Sequence, residues 1–186
     1  MIYVTIIIRY YNPVEYCDPS GYAKKICKDG GPKENNHGSE GASNPKLLST
    51  YQERLAQTPV NNGKWTGARG ESTFISENIE ASNILKEVGK EGIDYSNAIP
   101  DFSIVSKGEV KIKEMSTDRR INFKKADELL SKELGVSTKE VVKMRKINKL
   151  TWHELNDMET MQLVPTIINS KFGHLGGVSE VSKINK

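Results

Sequence analysis

A chain of 186 residues with 36% hydrophobic residues, a mean hydropathy of -0.55 and a net charge of +3 has room for one ordinary domain, or for a smaller domain with poorly ordered tails. No stretch reaches membrane-spanning length. The two cysteines, Cys17 and Cys27, form no CxxC pair, which argues against a structural zinc site, and the apolar run Ile2–Ile8 is too short for a secretory signal and lacks a basic start.

In chain order, Met1–Tyr11 is apolar and β-branched and reads as a strand. Arg9–Tyr22 (RYYNPVEYCDPSGY) is rich in turn-forming Asn-Pro and Asp-Pro-Ser-Gly. Residues 23–57 are dominated by Gly, Asn, Lys and Ser before Leu47 and read as a linker, largely disordered, with room for a short helix from Leu47 to Gln57. His37 lies there alone and reads as a surface residue. Asn61–Ser72 (NNGKWTGARGES) is expected to be a fixed loop that packs Trp65. From Thr73 the composition becomes globular. A helix is expected over Ser76–Gly89, with Ile79, Ile84, Leu85 and Val88 on one stripe. Ile93–Pro100 reads as a loop. Asp101–Val105 and Glu109–Ile112 read as a hairpin turning at Lys107-Gly108. Helices are expected over Phe123–Leu134, closed by Gly135, and from Ser137 to about Ile147, opened by the Ser137/Glu140 capping box.

Charge is unevenly placed. Residues 107–149 hold 13 Lys and Arg against 7 Asp and Glu, a basic middle that suits a polyanion. Lys143, Arg145 and Lys146 on the second helix are candidates for phosphate contact, and so is Arg69 in the glycine-rich loop; for Arg69 the alternative is a charge pair within the fold.

Leu150–Gly177 carries the chemistry. It reads as strand Leu150–Leu155, an Asn156-Asp157 turn, strand Met161–Val164, and a short helix that starts at Pro165 and is stopped by Gly176-Gly177. His153, Glu154, Asp157, Glu159, Asn169 and His174 crowd into this stretch. Hydrolysis of a phosphodiester needs an activated water and neutralisation of charge on the phosphate and leaving oxygen. A neutral imidazole supplies the first and a divalent cation the second. Carboxylate, amide oxygen and imidazole nitrogen suit one Mg, Mn or Zn ion. Asn169 and His174, five apart, converge only if the helix ends before His174. Trp152, Met158 and Met161 read as packing.

Trp152-His153, Thr160–Pro165 (TMQLVP), and His174 with Gly176-Gly177 resemble the WHH-type toxin nucleases of the HNH/endonuclease VII superfamily. Two positions depart from that pattern: Glu154 stands where a second histidine is expected, and Asn169 stands at the first helix histidine. Pro59–Gly63, Gly67–Ser72, Ile99–Phe102 and Asn122-Phe123 extend the resemblance upstream, over about Thr58 to Glu180. The RYYNPVEYCDPSGY string resembles the end of the Rhs-type shell of polymorphic bacterial toxins. The resemblance implies an α+β fold with a ββα-metal, treble-clef-like core at 150–177, plus additional helices and a small β-hairpin. It divides the chain into a shell remnant (1–22), a linker (23–57) and a nuclease toxin domain (58–186).

It further implies a metal-dependent endonuclease used in competition between bacteria, with DNA the favoured substrate and RNA left open. A cognate immunity protein would neutralise it, and it would reach the target-cell cytoplasm as part of a larger secreted toxin. His153 is assigned as general base. Glu154, Asn169 and His174 are assigned to one divalent ion, with Asp157 a weaker candidate; the exchange that puts His153 on the metal stays open. The alternatives are a non-catalytic nucleic-acid-binding module and an inactive orphan toxin fragment.

Overall fold

Two short β-rich segments, each too small to bury its own face, are covered by helices and supply the two apolar clusters of the domain. The computed structural model describes residues 47–184. The readings of Met1–Tyr11, Arg9–Tyr22, Cys17, Cys27 and His37 lie outside the described residues. Helix α1 spans Tyr51–Gln57 and opens on a capping box between Thr50 and Glu53, which satisfies backbone donors that the first turn leaves unpaired. Its Arg54 is buried and donates to the carbonyl oxygens of Ser49 and Asn97 and to Asn97 Oδ1. So α1 is part of the same folded body as the residues after Thr58.

Strands β1 (Gly63–Trp65), β2 (Thr73–Ser76), β3 (Ile93–Ser96) and β4 (Ile99–Pro100) form a four-stranded antiparallel sheet in that order. Trp65 packs on Phe74 and Tyr95 at centroid distances of 5.1 and 4.9 Å and donates its Nε1–H to the Pro59 carbonyl. The packed tryptophan agrees with the expectation, but it sits on a strand, because Gly63–Trp65 pairs with Phe74–Ser76. Helix α2 (Ile79–Glu87), capped by Asn78, covers this sheet with Ala81 and Leu85. The expected loop over Ile93–Pro100 is instead the β3–β4 hairpin. Its two-residue turn, Asn97-Ala98, has positive φ at both positions, the geometry whose twist matches that of paired strands.

The second sheet has the order β5-β7-β6, from β5 (Glu109–Lys111), β6 (Leu150–Glu154) and β7 (Thr160–Pro165). Asp101–Val105 is not a strand; Ser103–Val105 is one turn of 3-10 helix. The expected hairpin at Lys107-Gly108 does not form, because β5 pairs with β7, Glu109 opposite Gln162. Helices α3 (Arg119–Leu134) and α4 (Thr138–Ile147) pack over this sheet, α4 opening on the expected Ser137/Glu140 capping box. Their joint core gathers Val110, Ala126, Leu130, Val141, Trp152, Met161 and Leu163. Trp152 is fully buried and donates to Asp127 Oδ1.

Helix α5 (Thr166–Lys171) follows β7 directly. Pro165 is the last strand residue and the cap of α5, so the helix begins one residue later than expected. The chain leaves helix geometry at Phe172, and Gly176-Gly177 does not stop a helix: Gly177 starts α6 (Gly177–Ile184). A Cβ at Gly177 would run into the Leu155 carbonyl, so only glycine lets α6 approach the β6–β7 turn. The described residues therefore form an α+β fold of two small antiparallel sheets and six helices. Among them, no helix is long and apolar enough to cross a membrane.

Candidate active site

The β6–β7 hairpin aligns His153 opposite Gln162 and Glu154 opposite Met161. Its turn is built by Asp157, whose Oδ1 accepts from the backbone of Glu159 and Thr160 and whose Oδ2 accepts from the Thr160 hydroxyl. Burial pushes the Asp157 carboxyl up, and these bonds more than offset that, leaving it below its ordinary value. The carboxylate is thus committed to the turn.

Arg119, His153, Glu154, Asn169, Gly173, His174, Gly176, Val178 and Ser179 line one open cleft of about 320 Å³. All four residues assigned to catalysis from the sequence are among them. His153 is 3% exposed. Its ring meets that of His174 edge to face at 4.7 Å, and Phe102 packs against both at 4.8 and 5.3 Å. His174 Nδ1 lies 2.7 Å from the Phe172 carbonyl oxygen. That bond requires Nδ1 to carry the proton and leaves the Nε2 lone pair free. The loop bearing His174 is held from two sides: the Tyr95 hydroxyl donates to the Gly173 carbonyl at 3.1 Å, and Gly173 packs on the last carbonyl of α1, where a Cβ would collide with the Gln57 oxygen.

Both imidazoles are held neutral. Burial is the largest cause of the depression at His153, to well below its ordinary value; His174 and then Arg119 act in the same direction, and the Asn169 side chain opposes them. At His174 burial again lowers the value, the Phe172 carbonyl opposes it, and Arg119 adds to it. Neutral imidazole is the form that accepts a proton or binds a cation.

Glu154 is 4% exposed and faces Arg119, the first residue of α3. Arg119 Nε and a terminal nitrogen lie 3.0 and 2.9 Å from Glu154 Oε2, and Asn122 Nδ2 donates to Oε1 at 3.3 Å. The Arg119 side chain is itself 53% exposed. Asn169 Oδ1 is buried and has no hydrogen-bond partner of good geometry, although the side chain is near enough to the His153 ring to favour its protonated form. Among the described residues, no three His, Cys, Asp or Glu side chains gather as a metal-binding group. The donors of the cleft that suit a cation are the Asn169 amide oxygen and His174 Nε2, with the neutral His153 ring beside them. The chemistry of that set is suitable: one orphaned oxygen, one imidazole nitrogen freed by a backbone bond to its opposite nitrogen, and a second neutral ring.

The residues assigned to nucleic acid lie elsewhere. Arg145 forms a bidentate pair with Asp127, both bonds 2.7 Å, and is only 12% exposed. Arg69 donates to the Leu55 and Thr58 carbonyls and to Thr58 Oγ1, so it ties down the C-terminal end of α1. Both guanidinium groups are engaged by the fold, because each lies over backbone or carboxylate acceptors. Lys143 and Lys146 are exposed on α4. Three contributors to the cleft were not singled out from sequence: Phe102, Arg119 and Asn122. Phe102 and Asn122 lie in two of the upstream stretches that carry the resemblance. Arg119, 35 positions before its partner, has no local signal beyond the basic middle.

Residues 92–176 match the family model for the DNase/tRNase domain of colicin-like bacteriocins. No curated protein and no solved structure matches the chain. The matched segment, under half of the chain, is similar to a nuclease toxin domain. It runs from the start of β3 to Gly176 and includes Phe102, Arg119, His153, Glu154, Asn169 and His174.

Proposed function

We propose that the chain is a metal-dependent endonuclease toxin of the HNH/endonuclease VII type, built on a ββα core of β6, β7 and α5, that hydrolyses phosphodiester bonds with DNA preferred over RNA. The observation that carries this reading is the convergence of His153, His174 and the unpaired Asn169 oxygen in one cleft beside a half-exposed arginine. The colicin-like family match supports the nuclease class. The residues divide as follows. The neutral His153 imidazole takes the proton of the attacking water, a contribution of about 10²–10⁴-fold. Arg119, held by Glu154, which Asn122 holds in turn, meets the phosphate with the exposed part of its guanidinium. Asn169 Oδ1 and His174 Nε2 would hold a divalent cation, which when bound supplies Lewis-acid stabilisation of the phosphate and the leaving oxygen. Glu154, assigned to the metal from sequence, is in this reading the residue that orients Arg119. Phe102 limits ring motion and keeps water from the inner side of the pair.

As the payload of a larger secreted toxin, the domain would act in the target-cell cytoplasm, and the producing cell would need a cognate immunity protein. The test is cleavage of plasmid and of total RNA by the purified chain with EDTA, Mg, Mn or Zn, beside His153→Ala. Metal-dependent cutting by the wild type alone is expected. No cutting of either substrate overturns the nuclease reading, and cutting that survives in the variant overturns the site.

A further inference from the structure

A second cleft opens on the other side of Gly173, which lines both. It has a volume of about 490 Å³, and its walls come from the segment before β1, the β2–α2 junction and the end of α5. Most of the lining is uncharged and polar. Asn61, Asn62 and Asn78 each supply an amide, Ser76 and Ser170 hydroxyls, Lys171 the one cation and Glu77, on the opposite wall, the one carboxylate.

The amides are only partly used. Asn62 Nδ2 donates to Asn61 Oδ1 at 3.0 Å, which leaves the Asn61 side-chain amino group and the Asn62 side-chain oxygen, Oδ1, without a partner among the described residues. Asn78 Oδ1 caps α2 by accepting from Ala81 N at 2.9 Å, which leaves its amino group. Asn62 is fixed in the left-handed region, φ 58, while its own carbonyl accepts from Glu77 N, so the side chain starts from a rigid backbone. Lys171 is exposed and forms no ion pair among the described residues. Donors beside an acceptor are what the edge of a nucleobase pairs with, and a single ammonium next to them suits one backbone phosphate. No aromatic residue lines the cleft, so recognition by stacking is not its mode.

We propose that this cleft is a nucleotide subsite: it takes the base flanking the scissile phosphodiester on the amides of Asn61, Asn62 and Asn78, with Lys171 on the neighbouring phosphate, so that cutting depends on the base at that position. The proposal rests on the nuclease reading for the identity of the adjoining cleft, and on its own geometry for binding. The substrate class is a strand whose flanking base is unpaired or splayed out, because a base edge inside a duplex cannot enter a pocket.

The test has two arms, both on the full chain. In the first, wild type and the double variant Asn61→Ala/Asn62→Gly cut a randomised single-stranded library, and the ends are sequenced. Glycine at 62 keeps the backbone conformation without strain. A bias of about fivefold at one position next to the cut is expected in the wild type, and its loss in the variant; a net hydrogen bond is worth about that factor. In the second, His153→Ala protein is titrated with a single-stranded hexanucleotide while the asparagine side-chain amide resonances are followed. Those of Asn61, Asn62 and Asn78 should move, and the same change at 61 and 62 should weaken binding about fivefold. Equal base frequencies at every position, or amides that stay still on titration, overturn the subsite even if the nuclease is active. Amide shifts without any cleavage by the wild type support the subsite and remove the nuclease reading instead.

Discussion

The junction at Glu180 and the cleft at His153 bury polar groups side by side and treat them in opposite ways. Glu180 is 0% exposed, and its carboxylate accepts from Leu48 N, Ser49 N, the Ser49 hydroxyl and Asn156 Nδ2. Asn156 Nδ2 also donates to the Leu175 carbonyl, so the chain before α1, the β6–β7 turn and α6 are tied at one point. Every donor there has its acceptor. The cleft leaves Asn169 Oδ1 unmet and keeps two imidazoles neutral by burial. Buried polar groups are normally satisfied, and local departures from that consistency gather where a protein binds or reacts. The junction is therefore expected to govern stability and the cleft activity, and substitutions can separate the two.

The largest expected effect is on the cleft side. His153→Ala should lower metal-dependent cleavage by about 10²–10⁴-fold, while the thermal midpoint falls by less than it does for Glu180→Ala. Cleavage rates and melting curves on the same preparations check this. If the variant unfolds at the assay temperature while its folded fraction cuts normally, His153 belongs with the junction and the comparison collapses.

Glu180→Ala comes next. It leaves two backbone donors, a hydroxyl and an amide facing a void, and unmet buried hydrogen-bonding groups cost about 1–3 kcal/mol each before relaxation or water entry. A loss of about 2–4 kcal/mol in urea unfolding is expected on that basis, with the cleavage rate per folded molecule unchanged. A comparable fall in rate at temperatures where the variant is fully folded would show that the junction reaches the cleft through the Leu175–Gly177 segment.

What could be read from the chain follows the range of the interactions involved. The Ser137/Glu140 capping box, the closure of α3 at Gly135 and the β6–β7 hairpin were all legible, because each is settled within a few residues. The residues of the cleft were legible for the same reason: His153, Glu154, Asn169 and His174 lie in one short stretch whose motif is distinctive. Non-local pairing was not. Glu109 faces Gln162 and not its own near neighbours, so the run Asp101–Ile112 resembled a hairpin that does not form. The β3–β4 hairpin was missed because Ala98, at positive φ, is not a residue that announces such a turn. Arg145 was read as a phosphate contact from its place in a basic helix. Nothing local reveals that Asp127, eighteen residues earlier, holds two of its three guanidinium nitrogens.

The pH dependence of stability sharpens the junction further. Burial raises the Glu180 carboxyl, but the hydrogen bonds from Ser49, Asn156 and Leu48 outweigh it and hold the group below its ordinary value. A carboxyl depressed in the folded state adds stability above its unfolded pKa, and that contribution is lost as pH falls through the folded one. Glu180→Gln keeps the shape and removes the titration. The variant should be less stable than wild type near neutrality, and the two urea midpoints should converge as pH falls below the ordinary glutamate range. Parallel curves down to the acid limit would mean that the carboxylate charge contributes nothing at the junction.

The smallest effect separates the two regions most sharply. Asn169 has a buried oxygen without a hydrogen-bond partner of good geometry, and its side chain lies against the His153 ring of the cleft. Replacing an unsatisfied buried polar group by an apolar one of similar size is close to neutral or stabilising, whereas the same exchange at the satisfied Glu180 would not be. Asn169→Leu should therefore leave the unfolding free energy within about 1 kcal/mol of wild type, or raise it. If Asn169 Oδ1 is a cation donor, the variant should also lose divalent-ion binding by calorimetry, a readout that does not depend on cleavage. A marked loss of stability with ion binding intact would place Asn169 among the residues that hold the fold. The orphaned oxygen would then be a tolerated defect and not the mark of a site.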